Sequence, residues 1–191
     1  MALTEQTLPR NRMNPMRLAL LIACGSILMM FAALTSAYIV RQSAGNWLEF
    51  PLPRLFYVST GVLLASSVTL QLCYSAFRQN RARVYRGLLA ATLVLGFGFV
   101  VGQFAAWQEM YAAGLQLKGN PAPAFIYVLS GLHGAHIVGG LIALIVATIH
   151  GFALPVAATP RRQLRLQLTL TYWHFMDFLW IYLLLFFALQ R

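Results

Sequence analysis

Four side chains able to bind a metal, relay a proton or anchor a hydrogen-bond network are confined to two short apolar stretches of this chain. His133 and His136 lie in Gly131-Leu132-His133-Gly134-Ala135-His136-Ile137-Val138-Gly139-Gly140, and His174 and Asp177 lie in Thr169-Leu170-Thr171-Tyr172-Trp173-His174-Phe175-Met176-Asp177-Phe178-Leu179-Trp180. Helical residues three or four apart share a face, so each pair points one way. At about 100° per residue, Thr169, Trp173, Asp177 and Trp180 form one face of the second stretch, with His174 on its flank. A carboxyl group in so apolar a segment is costly unless it faces protein or water, so this face needs a partner helix. The histidine stretch is the candidate.

Three chemistries fit these residue types. Imidazoles and carboxylates hold iron or manganese between bundle helices, but that pattern uses about four carboxylates and only Asp177 and Glu109 fall within apolar segments here. A haem with two histidine ligands needs facing rings at matching depth, and only His174 stands opposite His133 or His136. Neutral imidazoles can instead hydrogen-bond to Asp177, His174 or tyrosine hydroxyls, one ring nitrogen donating and the other accepting. The reading carried forward is a structural polar network of His133, His136, His174, Asp177, Trp173, Tyr172, Trp180, Gln103, Trp107 and Glu109, with a lipid or proton-path role beside it. No catalytic residue and no metal site is assigned.

The elements that must position these groups are membrane spans. Of the 191 residues, 60% are hydrophobic and 9% charged, far below the roughly 25% charged residues of soluble domains. Five segments, at about residues 16–40, 56–77, 87–111, 125–152 and 166–188, are long enough to cross a hydrocarbon core of about 30 Å. The expected fold is therefore an all-α integral membrane protein, a five-transmembrane-helix bundle, with residues 1–15 as a cytoplasmic N-terminal segment and 16–191 as the membrane domain. The connections are too short to hold a soluble catalytic domain.

The formal charge of +10 has a topological explanation. Ten of the 14 basic residues flank one side of the spans, at Arg10, Arg12 and Arg17, at Arg78, Arg81, Arg83 and Arg86, and at Arg161, Arg162 and Arg165. Arg41, Arg54, Lys118 and Arg191 flank the other side. The positive-inside rule then places the N-terminus in the cytoplasm and the C-terminus in the periplasm of a bacterial inner membrane. No nucleic-acid partner is implied. Glu5, Pro9 and Pro15, ahead of an over-long apolar segment, argue against a signal peptide, so the first helix is expected to remain. Cys24 and Cys73 both fall within spans and are expected to be free, buried thiols.

Helix packing has its own signals. Gly98, Gly102 and Ala106 line one face of the third span together with Glu109, which sits at its outer end and is expected at the rim. Ala135, Gly139 and Ala143 repeat every four residues in the fourth, and such small-residue ridges let helices approach closely. Thr60, Ser67, Gln71 and Tyr74 form a polar stripe on the second span suited to interhelical hydrogen bonds.

The two motifs, Gly131 to Gly140 and Tyr172-Trp173-His174-Phe175-Met176-Asp177 with Trp180, resemble subunit III of the haem-copper oxidases (cytochrome c oxidase and quinol oxidase) in its short five-helix bacterial form. Gln103 with Trp107 adds weaker support, and the likeness runs from about Met16 onward. The resemblance implies a cofactor-free accessory subunit, with haem and copper held by partner subunits. It docks on catalytic subunit I, beside subunit II, in a respiratory complex that reduces O2 to water and pumps protons. The family's subunit III supports proton uptake, limits inactivation during turnover and binds phospholipid. A small subunit IV or a larger respiratory supercomplex are further partners the resemblance allows. Two departures stand out. Gly25-Ser26-Ile27 has no carboxylate where many relatives carry a glutamate, and Ala106 stands where the family often has another. Cytochrome c is the expected electron donor, with a quinol oxidase or nitric oxide reductase component, or an independent membrane haem protein, as alternatives.

Overall fold

The computed structural model describes residues 14–190. Residues 1–13, most of the expected N-terminal segment, lie outside that range, as do Arg10, Arg12 and Arg191 of the charge count. Five helices follow in order: α1 (Pro15–Ser43), α2 (Arg54–Arg78), α3 (Ala82–Ala112), α4 (Pro121–Ala153) and α5 (Pro160–Leu189). Each is long and apolar enough to cross a membrane, and no strand occurs among the described residues.

The helices overrun the apolar runs by a few residues, because hydropathy marks the hydrocarbon whereas a helix continues to its cap. α1 and α4 each begin with proline at the first helical position behind an asparagine cap. Asn14 Oδ1 accepts from Met16 N at 3.0 Å, and Asn120 Oδ1 accepts from Ala122 N at 3.0 Å. Both arrangements satisfy donors that a helix start leaves free. α5 begins at Pro160, six residues before its apolar run.

Asparagines also tie the connections together. Asn80 closes the tight α2–α3 turn with φ of 55°, a left-handed conformation asparagine tolerates, and its Oδ1 accepts from Ala158 N at 3.2 Å in the α4–α5 linker. At the other end of the molecule, Asn120 donates to Asn46 O at 3.1 Å and accepts from Leu48 N at 3.3 Å, so one side chain caps α4 and holds the α1–α2 linker.

α2, α3, α4 and α5 form a ring in which each helix packs on the next and α5 closes back onto α2. α1 lies outside the ring against α4 and α5. Its contacts include Phe31 against the His136 ring, Thr35 with the Tyr182 hydroxyl at 2.9 Å, and Tyr38 among Trp47, Phe125 and Phe186. α2 packs closely on α3, where a Cβ on Gly102 would stand 3.1 Å from Ser59 Cβ. Cys24 and Cys73 are buried and free.

Candidate functional site

α5 carries the site because its buried face is built from two tryptophans two turns apart. Trp173 is fully buried, its indole passing between α3 and α4 at two glycines. A Cβ on Gly96 would lie 3.0 Å from Cη2 of the ring, and a Cβ on Gly140 would lie 3.0 Å from the adjoining Cζ3. Its Nε1 donates to Ser66 Oγ of α2 at 2.9 Å. One side chain thus locks four helices together. Trp180 repeats the device, donating to Thr60 Oγ1 at 2.8 Å and packing against Phe56, Phe99 and His133.

The hydroxyls that receive these indoles sit on α2 as the neighbouring pairs Ser59-Thr60 and Ser66-Ser67, seven residues apart. Two turns separate the pairs, so equivalent members share a face. Ser59 Oγ accepts from Gln103 Nε2 at 3.0 Å, and Ser67 Oγ lies 2.9 Å from His174 Nδ1. Gln71 is the third residue of the expected α2 stripe to meet α5, its Oε1 lying 3.2 Å from His174 Nε2. Because that carbonyl oxygen can only accept, Nε2 carries the ring proton and Nδ1 accepts from the Ser67 hydroxyl.

The polar face of α5 is therefore answered mainly by α2, where the expectation was the histidine stretch of α4. Among the described residues α4 supplies a single hydrogen-bonded contact to the motif, the His136 carbonyl that accepts from Tyr172 Oη at 3.0 Å. Its histidine side chains turn elsewhere. His136 donates from Nδ1 to Leu132 O of its own helix at 2.7 Å and faces Phe31 of α1. His133 is fully buried, its ring 5.0 Å from that of Trp180 and edge-on to Phe99, and neither ring nitrogen has a partner among the described residues. Thr169 donates back to Arg165 O at 3.1 Å and makes no interhelical bond among the described residues.

Asp177 is 5% exposed, and neither of its oxygens has a hydrogen-bond partner among the described residues. The nearest basic nitrogen, His174 Nδ1, is 3.9 Å away, beyond bonding distance and already engaged with Ser67. Toward the C-terminal end of α3, Trp107 Nε1 donates to Ser130 Oγ of α4 at 3.0 Å, while Glu109 is exposed.

The small-residue ridges divide in the same way. Gly98 and Gly102 lie against α2, and Ala106 is fully buried. Ala135 and Gly139, expected to seat a neighbouring helix, point outward, and Ala143 is half-buried. The seam of α4 runs one face over, through His133, Ile137, Gly140 and Leu144, because the Trp173 indole needs the space that Gly140 leaves. Gly96, Ser59, Ser66 and Ser130 escaped the sequence reading. The repeat of hydroxyl pairs on α2 was the signal that marked two of them.

Chemically, the arrangement locks helices and leaves one carboxyl group unanswered. A haem held between two of these histidines does not fit, since His133 faces α3 and Trp180, His136 faces α1 and His174 faces α2. Among the described residues, no three His, Cys, Asp or Glu side chains gather as a metal site would need.

Comparison with known proteins bears on the whole chain. Residues 43–189 match the family model described as Cytochrome c oxidase subunit III, a stretch that takes in the closed ring of α2 to α5. The chain is 32% identical over 185 residues to the probable cytochrome c oxidase subunit 3 of Nocardia farcinica, covering 94% of this chain and 90% of that protein. It is 30% identical over 188 residues to the probable cytochrome c oxidase subunit 3 of Mycobacterium bovis, again covering 94% and 90%. To the cytochrome c oxidase subunit 3 of Corynebacterium diphtheriae it is 26% identical over 191 residues, covering 95% and 91%.

Proposed function

Because this chain belongs to the cytochrome c oxidase subunit III family, we propose that it is the cofactor-free accessory subunit of a proton-pumping terminal oxidase that takes electrons from cytochrome c and reduces O2 to water. As a family member with five spanning helices it is a multi-pass membrane protein associated with a haem-copper oxidase complex. The single observation that carries the reading is the match over residues 43–189. The site's chemistry is consistent with it, since its hydrogen bonds join helices and its histidines diverge.

In this reading haem and copper reside in catalytic subunit I and in subunit II, and this chain stabilises subunit I, sustains proton uptake and binds phospholipid. A small subunit IV or a larger supercomplex are further partners. Phospholipid binding is supported by a cavity of about 500 Å³ at one end of the α4–α5 pair. Apolar walls at Val146, Leu166 and Leu168 meet Arg162, Arg165 and His150 there, which suits acyl chains below an anionic headgroup. The same end of the bundle holds the arginines of the α2–α3 turn and of the start of α5. That asymmetry supports a cytoplasmic N-terminus and a periplasmic C-terminus in a bacterial inner membrane.

The test is to tag the chain, extract it from its native membrane in mild detergent, and record a reduced-minus-oxidised spectrum with mass identification of its partners. Haem absorbance and a haem-copper catalytic subunit are expected to accompany it, and harsher detergent should strip it to a colourless form. Haem retained by the stripped chain sinks the proposal. A quinol-oxidising or nitric-oxide-reducing catalytic subunit in its place overturns the choice of cytochrome c oxidase.

A further inference from the structure

The α2–α5 face holds an open groove of about 440 Å³, and Asp177 lies in its floor. We propose that this groove is a docking surface for a transmembrane helix of a partner subunit, and that a hydrogen-bond donor on that helix, at mid-membrane depth, closes onto the Asp177 carboxyl. The inference rests on the subunit reading above and adds the surface and its chemistry.

Asp177 is the reason for choosing this face. Among the described residues its two oxygens are buried and unpartnered, whereas the Ser67 hydroxyl, the Gln71 Oε1 and both His174 ring nitrogens are bonded to one another. His174 cannot serve as the donor, because its Nδ1 accepts from Ser67 and its Nε2 proton goes to Gln71. The chain's own described groups leave the carboxyl of this groove-lining residue, buried just beneath the groove surface, unanswered. An unsatisfied buried polar group of this kind is rare in native structures and calls for a partner outside the chain.

Depth decides what that partner is. Seventeen residues separate Asp177 from the start of α5 and twelve from its end, about 26 Å and 18 Å at 1.5 Å per residue. It stands midway along the apolar run 166–188. Lipid headgroups lie about 15 Å from the centre of the bilayer, and acyl chains carry no donor. A donor at this depth therefore belongs to protein. The groove walls suit a helix, since Leu64, Val68 and Leu72 follow one ridge of α2 at four-residue spacing and are exposed, as are Phe178 and Ile181 on α5. Hydroxyl, amide and indole side chains are the donors that cross-helix contacts in membranes use.

Two measurements on the purified oxidase test this. A photoreactive benzoylphenylalanine in place of Val68 is expected to cross-link to a membrane helix of another subunit. Adducts only with lipid, or with a second copy of this chain, while the chain still co-purifies with the oxidase, overturn the docking surface and leave the subunit reading standing. A chain that finds no oxidase at all instead sinks the subunit reading. The second measurement is Asp177→Leu. The free chain in detergent is expected to unfold at an unchanged or higher denaturant midpoint, because nothing inside it bonds the carboxyl. The amount retained on a tagged catalytic subunit should fall about ten-fold. A lower midpoint for the free chain places the carboxyl's partner inside the chain, and unchanged retention removes its role in docking; either result overturns the proposal.

Discussion

Substituting alanine for Gly96 and Gly140 tests the claim that the Trp173 indole is the wedge that joins four helices. A Cβ on Gly96 would meet Leu141 Cδ2 at 2.7 Å and the Trp173 ring at 3.0 Å, and one on Gly140 would meet that ring at 3.0 and 3.1 Å. Carbon atoms pack best at about 3.5–4.0 Å, so each methyl group is roughly 0.5–1 Å too close. Leu141 can rotate away, but the indole is tethered to Ser66, and both glycines meet the same outer end of its ring. Overpacking of this size costs about 1–3 kcal/mol, offset by up to about 1 kcal/mol of helix propensity on replacing glycine by alanine. Each single variant should therefore lose about 0–2 kcal/mol. In the double variant α3 and α4 both press on the same end of a tethered ring, which one small shift can no longer relieve, so the loss should exceed the sum by about 0.5 kcal/mol or more. The assay is the denaturation midpoint of the full chain in detergent, followed by tryptophan fluorescence, for the parent, both singles and the double. Stability raised by both single substitutions, with strict additivity in the double, would refute the wedge.

Three further outcomes follow from the geometry. His133 has two unpartnered ring nitrogens in an apolar setting, so His133→Leu is expected to leave the unfolding midpoint unchanged or to raise it, as loss of an unsatisfied polar group should; a clear fall would show that the ring was bonded. Asn120→Ala removes the α4 cap and the tie to the α1–α2 linker and should cost about 1–2 kcal/mol, whereas Asn120→Asp keeps the accepting oxygen and should recover most of it. Equal losses for the two would place the effect elsewhere. For topology, Lys118→Cys should react with a membrane-impermeant maleimide on intact cells and Arg83→Cys only after lysis, Cys24 and Cys73 staying silent because they are buried. The reverse pattern would invert the assigned orientation.

The spans were legible because transfer into hydrocarbon is nearly a sum over residues, and a one-dimensional sum can be read from a chain. The α2 stripe was legible for a related reason: polar side chains in an apolar helix must bond across a helix interface. The motifs of the fourth and fifth spans pointed to the subunit III family before any geometry was known, and the family match bears that out. Partner choice was not legible. Asp177 and His174 asked for polar company, and the histidines of α4 offered it as plausibly as the hydroxyls of α2.

Sequence by itself determined that five apolar helices cross a membrane, where they start and stop to within a few residues, and which polar groups they carry. Tertiary structure alone decided that the ring closes α5 against α2, that Gly140 rather than Gly139 receives the indole, and that His133 is sealed while Asp177 faces a groove. The physical reason is that these outcomes depend on rotation of each helix about its own axis. Many pairings satisfy the same polar inventory, and they are separated by the fit of one large ring between two glycines, a distance the sequence does not contain.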